Sequence, residues 1–577
     1  MSDSKQGLLL MDEAKPLIKE NNEEISLPIQ NLMKLYVKEI KCLLKISLPM
    51  MMTNLMLFLI LSESVIICGQ LGKYELDGAS LANSIVNVGG VAIAVGFCTA
   101  CDTFFSQIYG SPHRKHLGMM LQRSILISLL VPIALIALHI NWEPLFVLLG
   151  QEEEVAIKAA NFLSLFSPGF IFIFESLVLT RYLQNQYYVV FPMISAIIAN
   201  AFNVGFQYLF VITLEYGYEA SAIFQGLTYF INWLIQLVFI LQSKLYEPNW
   251  KGWTIDCLVD WGLFCNLATA GICLLFFEVA SWEIGTFITG VLGAVQLGAQ
   301  AILFHYETAL FQACFAIGVA VNIRVGEALG ANNWRRGIMT YRCGLVITFI
   351  YGLLSTILFI SLKDYLVVLF SNDKEITQLA SNTFPFMIGA LLIDFIGTIT
   401  MGALRGCGRQ KLGILLVLLG FYVLGQPIGI SLAFATSLNI RGIWIGLIIS
   451  LFISSAIGFI FTNFILNWKR QGQMAQERIK NNITEDDNDE DVFNSISGNH
   501  NHHHQRGFST SLIPSNKRNG PIVTKVATVT EENYKKIILK RSLTYFVTIL
   551  ILIVGIMIKF LLPRSLYLSK NSTSLVR

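Results

Sequence analysis

The 577-residue chain is 54% hydrophobic and 14% charged, with a formal net charge of +3. A soluble chain carries about 25% charge, so an assembly of soluble domains is excluded, and so small a net charge argues against a nucleic-acid partner. The ten cysteines are scattered and several fall inside apolar blocks, so no disulfide framework is visible, and Cys98 and Cys101 read as two small packed residues of an apolar helix.

Residues 1–45 are polar and mixed in charge, without the short apolar core of a signal peptide, and read as a cytoplasmic tail. Within them Glu13, Leu17 and Ile18 match an acidic dileucine address, a pattern common by chance. Apolar blocks then cover 46–70, 79–108, 119–140, 157–181, 189–213, 219–242, 263–290, 294–322, 340–362, 377–403, 412–435 and 441–467, with a thirteenth at 543–563. Most exceed the roughly 20 residues that cross a hydrocarbon core as a helix. Lipid cannot satisfy an exposed backbone, so each crossing is helical, and the blocks lack the alternating polarity of barrel strands. Every residue in this order therefore predicts an all-α polytopic membrane protein.

Loop charges set the orientation. His113, Arg114, Lys115 and His116 follow the second span, Lys244 and Lys251 the sixth, Arg324, Arg335 and Arg336 the eighth, Arg405, Arg409 and Lys411 the tenth, and Lys469 and Arg470 the twelfth. Alternate loops are poor in Lys and Arg. The N-terminus is thus expected in the cytoplasm and the end of the thirteenth span outside it, where Asn571-Ser572-Thr573 is a glycosylation sequon. The organisation that follows is a tail over 1–45, a six-helix bundle over 46–242, a linker over 243–262, and a second bundle over 263–467. A connector over 468–540, the thirteenth helix over 541–563 and a short tail over 564–577 complete it. The connector holds the acidic run 485–491 and the histidines His500 and His502–His504, a composition that cannot bury a core and reads as a disordered, solvated linker.

The two bundles repeat one another. Cys68-Gly69-Gln70-Leu71-Gly72 echoes Thr289-Gly290-Val291-Leu292-Gly293, with Gly69 and Gly290 221 residues apart. Tyr109-Gly110-Ser111 echoes Leu329-Gly330-Ala331 at 220, and Leu183-Gln184-Asn185 echoes Leu404-Arg405-Gly406 at 221. Three matches at nearly one spacing, at equivalent ends of equivalent spans, mark a duplication. A shift of six spans preserves topology, so the halves are parallel repeats about an axis along the membrane normal. Transporters built this way hold substrate between the halves and rock them.

Ionisable residues inside a membrane are costly and usually functional. The second bundle offers Glu278 and Glu283 in span seven, His305 and Glu307 in span eight and Asp394 in span ten. The first offers Glu63 in span one and Glu175 in span four, with Asp102 and Arg181 near span ends, where pairing is expected. A carboxyl group in a poorly hydrated cavity can hold a proton near neutral pH and, ionised, attract an organic cation. Competition between the two, linked to opposite access states, is antiport. Aromatic residues such as Trp282 and Tyr306 add cation–π contact.

These residues resemble the multidrug and toxic compound extrusion (MATE) family, in its animal-type branch with a thirteenth helix. The resemblance rests on 68–77, on Ala100-Cys101-Asp102-Thr103 with Ser106-Gln107-Ile108-Tyr109-Gly110, on Arg324-Val325-Gly326-Glu327-Ala328-Leu329-Gly330-Ala331 and on 404–411. It implies two six-helix lobes around a V-shaped cavity, and export of organic cations in exchange for protons. The family's paired span-seven glutamates match Glu278 and Glu283, and its span-ten glutamate matches Asp394. Its span-eight glutamate falls on His305, with Glu307 two residues on. Its cavity-facing asparagine matches Asn87, and the N-lobe aspartate of bacterial relatives falls on Ser64, beside Glu63. In place of the family's aromatic pair stand Val279 and Ala280. The expected function is secondary antiport of organic cations against protons by a monomer in a surface or acidic-vesicle membrane, without a cofactor and without enzymatic activity; no phosphate-binding Gly-Lys loop is present for ATP drive. The alternatives are the same fold with another cargo, such as an organic anion or metabolite, or with sodium coupling, and a non-transporting receptor or scaffold.

Overall fold

The computed structural model describes residues 29–245, 252–371, 373–482 and 531–561. Among them there is no strand. Twelve helices are long and apolar enough to cross a membrane, and the bent pair Glu153–Phe166 and Gly169–Asn185, at 52°, makes a thirteenth crossing as span four. The others follow the predicted order: Gln30–Gly69, Lys73–Gly110, Arg114–His139, Val190–Thr213 and Tyr218–Gln242 in the first lobe, then Trp261–Val291, Ala294–Gly330, Trp334–Val368, Lys374–Gly406, Gln410–Ala435 and Ile440–Ile465 in the second, and Lys535–Lys559 last.

Duplication is visible in the packing. Span one packs on span five as seven packs on eleven, two on four as eight on ten, and four on six as ten on twelve. The lobes also exchange contacts, span one lying against span eight and span seven against span two. The first lobe's apolar core, around Phe97, Phe105 and Phe174, also takes in Phe264 from span seven, while the second lobe's core lies around Phe384, Phe421 and Trp444. A third cluster, with Leu43, Ile323, Tyr341 and Trp468, joins the lobes at the end where the basic loops lie. There spans two and eight approach backbone to backbone. A Cβ on Gly330 would fall 2.0 Å from the Gln107 carbonyl oxygen, and one on Gly110 would fall 2.1 Å from that of Glu327. Only glycine permits this approach.

Three expectations change. The tail is helical from Ile29 onward, in one piece with span one. Lys34, Lys41 and Lys45 share an exposed face while Glu39, Leu43 and Ile46 are buried against the second lobe, an amphipathic pattern that tertiary packing turns into helix. The connector does not begin at 468: Trp468–Asn482 is a helix docked across the basic end, with Trp468, Ala475 and Ile479 buried. Arg478 there donates to Gln107 Oε1 (3.3 Å) in the first lobe and to the Cys407 carbonyl (2.8 Å) in the second. Third, Arg324 and Arg405 are not loop charges but buried side chains. Arg335, Arg336, Arg409 and Lys411 still mark that end as basic.

The thirteenth helix lies along span three in the same direction. Arg541 stacks on Trp261 (4.2 Å) at the basic end, and Asn141 Nδ2 donates to the Gly555 carbonyl (3.0 Å) near the other. The dileucine pattern, most of the linker's basic and acidic loop at 246–251, the acidic run, the histidines of the connector and the Asn571 sequon lie outside the described residues. Cys98 and Cys101 are buried free thiols.

Candidate functional site

Spans seven, eight and ten run side by side through the second lobe and carry its carboxylates. Glu278 is half-buried, and Glu307 and Asp394 are buried, 5% and 7% exposed. The three lie within electrostatic reach of one another. Glu307 accepts a bond from the Thr308 hydroxyl (3.2 Å), and Asp394 has the Thr398 hydroxyl nearby, one turn on along the same helix. Arg405 is eleven positions after Asp394 on the same helix, which returns it to within about 20° of the same face. Its buried guanidinium interacts with both Glu278 and Asp102, and its Nε has no hydrogen-bond partner. Three carboxylates near one another, of which only Glu278 meets the guanidinium, leave an excess of negative charge that a proton or a cation can neutralise.

Glu283 stands apart from this cluster. Five positions beyond Glu278 on a 100° helix, it points about 140° away, and it lies within hydrogen-bonding reach of Asn87 in the first lobe. Asn87 opens a widened π-type turn, Asn87–Val91, in the middle of span two. Trp282 packs within the second lobe, on Phe304 and on the buried Trp444 at 6.4 and 6.1 Å.

His305 and Glu307 are separated by the helix itself, since two positions are about 200° of rotation. Glu307 turns into the cluster. His305 is exposed, with Nδ1 on the Ala301 carbonyl (2.7 Å) and its ring against Phe370 (5.7 Å). Span eight therefore brings Glu307, and not His305, to the other acids.

The polar residues expected in the first lobe split into two places. Glu63 accepts from Asn203 Nδ2 (2.6 Å) and Ser64 from Gln207 Nε2 (2.9 Å). Gln207 Nε2 also donates to Asn203 Oδ1 (2.8 Å), while Ser221 donates to Gln207 and Thr228 to Asn203. Glu175 is elsewhere, accepting from Ser128 (2.5 Å) at the seam of spans three and four. Sequence reading passed over Asn203, Gln207 and Thr228. The available signal was a pair of amides four apart in an apolar block, which places both on one helix face.

It also missed how the basic end is tied. Arg324 donates to both oxygens of Glu39 (2.9 and 2.6 Å), to the Tyr187 hydroxyl (2.7 Å) and to Glu327 (2.9 Å). Tyr187 donates to Glu327, and Thr340 to Glu39 (2.7 Å). Opposite, Thr103 donates to the Arg405 carbonyl (2.8 Å) and Gln107 Nε2 to that of Gly406 (2.9 Å). Asp102 pairs with Arg181 (3.7 Å), as its position near a span end predicts. The lobes are thus closed on each other at the basic end by ion pairs on one side and, on the other, by hydrogen bonds of Thr103, Gln107 and Arg478.

Comparison with known proteins bears on this arrangement. The MatE family model matches residues 49–209 and 272–430. The chain is similar to "Multidrug and toxin extrusion protein 1" of Pongo abelii, 32% identical over 534 residues that cover 91% of the chain and 94% of the relative. It is 35% identical to the Homo sapiens protein of that name, over 76% of the chain and 77% of the relative. Among solved structures, the eukaryotic MATE transporter AtDTX14 superposes with a TM-score of 0.74 at 23% identity, over 77% of this chain and 99% of that one. An outward-facing MATE family transporter of the MOP superfamily does so at 0.67 and 16%, over 76% and 97%.

Proposed function

Since the chain belongs to the MATE family and is a multi-pass membrane transporter, we propose that it exports organic cations and other xenobiotics from the cytoplasm in exchange for protons. The relatives' names speak of multidrug and toxin extrusion. The observation that carries the reading is the mutual approach of Glu278, Glu307 and Asp394, with Arg405 interacting with Glu278 alone of the three. Their excess negative charge favours a cation and disfavours an anion. Like charges this close in a poorly hydrated space compete for whatever neutralises them, so proton and substrate bind in turn. Glu283 and Asn87 form a second contact, between the lobes, that any rocking motion must remake.

In this reading the basic end faces the cytoplasm. Its polar ties break when the lobes rock to admit substrate and re-form to release it, with a proton taken up from the far side to displace the cation. The direction serves a surface membrane and an acidic vesicle alike.

Uptake of a fluorescent organic cation into proteoliposomes with an acidic interior tests this. Uptake that collapses with a protonophore supports exchange. Uptake that ignores the pH gradient and follows an imposed sodium gradient overturns the proton coupling, and no uptake of any cation by folded protein overturns the cargo.

A further inference from the structure

Span two is not a continuous α-helix. It runs as α-helix over Lys73–Val86, opens into the π-turn Asn87–Val91, and resumes over Ala92–Gly110. Single π-turns inside α-helices concentrate at functional places. The equivalent span eight is uninterrupted α-helix over Ala294–Gly330. At the 221-residue spacing, Asn87, Gly89 and Gly90 correspond to Thr308, Leu310 and Phe311. Span two therefore carries at this place a local device that span eight lacks.

Two rings press on that turn. His139, 1% exposed at the end of span three, lies so close that a Cβ on Gly89 would fall 2.7 Å from its Nε2. Phe170, fully buried at the start of the second half of span four, lies so close that a Cβ on Gly90 would fall 2.3 Å from its ring. The rings touch each other at 4.7 Å, and Trp142 covers His139 at 5.8 Å. His139 Nδ1 is 2.7 Å from the Leu135 carbonyl. A carbonyl only accepts, so Nδ1 carries the proton and Nε2 is a bare acceptor. That Nε2 is buried without a hydrogen-bond partner. An unsatisfied buried nitrogen is uncommon and calls for an explanation. Here it is held against the glycine of a turn whose first residue reaches Glu283, and the turn itself touches span seven.

We propose that His139 and Phe170 are positioning residues: they wedge the glycine face of the π-turn and so hold the Asn87 amide on Glu283. Gly89 and Gly90 are required because any Cβ would push the turn off the wedge. This rests on the exchange function proposed above for its transport consequence, though not for its geometry. At the same spacing the second lobe has Ile360 and Leu391 in place of the two rings, consistent with its unbroken helix.

The test has two independent readouts. In proteoliposomes, Gly89→Ala raises the KM for tetraethylammonium roughly tenfold, the scale of losing one hydrogen bond to a charged group, with kcat per folded transporter held within about twofold. His139→Ala in the Gly89→Ala background makes room for the methyl and brings KM back to within about threefold of the parent. Separately, the double variant Asn87→Cys, Glu283→Cys is oxidised and the new disulfide quantified by mass spectrometry. Adding Gly89→Ala lowers its yield several-fold, and His139→Ala restores it. Unchanged KM and unchanged disulfide yield in Gly89→Ala overturn the inference, as does a loss confined to expression. If the parent protein moves no cation, the exchange function falls and the disulfide yield alone decides the positioning role.

Discussion

The two lobes share helix order, packing pairs and glycine contacts, yet they differ in what they bury. The second holds Glu278, Glu307 and Asp394 together, with Arg405 interacting with Glu278. The first surrounds one acid, Glu63, with Asn203, Gln207, Ser221 and Thr228, and keeps Glu175 at a separate seam. A duplicated backbone thus gathers several acids at one place in one copy, and in the other keeps Glu63, Glu175 and Asp102 apart, in an amide network, at a helix seam and paired with Arg181. The ties at the basic end repeat the contrast, with Arg324, Glu39 and Glu327 on one side and Thr103 and Gln107 on the other. The difference teaches that the fold fixes where polar groups meet, while the side chains decide whether the meeting stores charge.

Five substitutions probe this, beginning with the greatest expected effect. Arg324→Gln removes the directly hydrogen-bonded cation of the buried Glu39 and Glu327, leaving Glu327 with the longer pair to Arg336 at 3.7 Å. Breaking a buried pair from one side costs about 3–5 kcal/mol, read as loss of thermal stability and as cysteine-reagent access at the basic end. Gln107→Ala, on the side of Thr103 and Arg478, costs about 1 kcal/mol. Equal losses in the two would erase the asymmetry. Glu278→Gln removes charge from the cluster and lowers cation exchange by about 10- to 100-fold with expression intact, the scale of a bond to a charged group; wild-type transport by that variant breaks the assignment of binding to the second lobe. Glu63→Gln replaces the lone acid of an amide network with another amide and lowers exchange by less than about tenfold. A deficit as deep as that of Glu278→Gln would put the first lobe on an equal footing. His305→Ala alters an exposed ring outside the cluster, and transport stays within about twofold, as for surface substitutions generally. A larger loss would return His305 to the site in place of Glu307.

Much of this was legible along the chain. Hydropathy located all thirteen crossings, because each depends on about 20 consecutive residues and on nothing else. Spacing exposed the duplication, and the cost of charge in lipid singled out Glu278, Asp394 and Glu307. Where two polar residues stood close together, the sequence offered no way to choose. His305 and Glu307 are two positions apart, and which faced the other acids depended on how span eight is rotated in the lobe. Arg324 and Arg405 looked like loop charges because they end apolar blocks.

By itself, then, the sequence determined an all-α membrane protein of two repeated six-helix halves with acids concentrated in the second. Those features are local: the transfer cost of one block, the period of one repeat, the identity of one residue. Only the tertiary structure decided that Glu39 meets Arg324 across 285 positions, that Trp468–Asn482 lies docked rather than free, and that a π-turn in span two offers Asn87 to Glu283. Each of these depends on side chains from distant helices arriving at one place. That arrival is set by close packing between whole helices, and no window along the chain contains it.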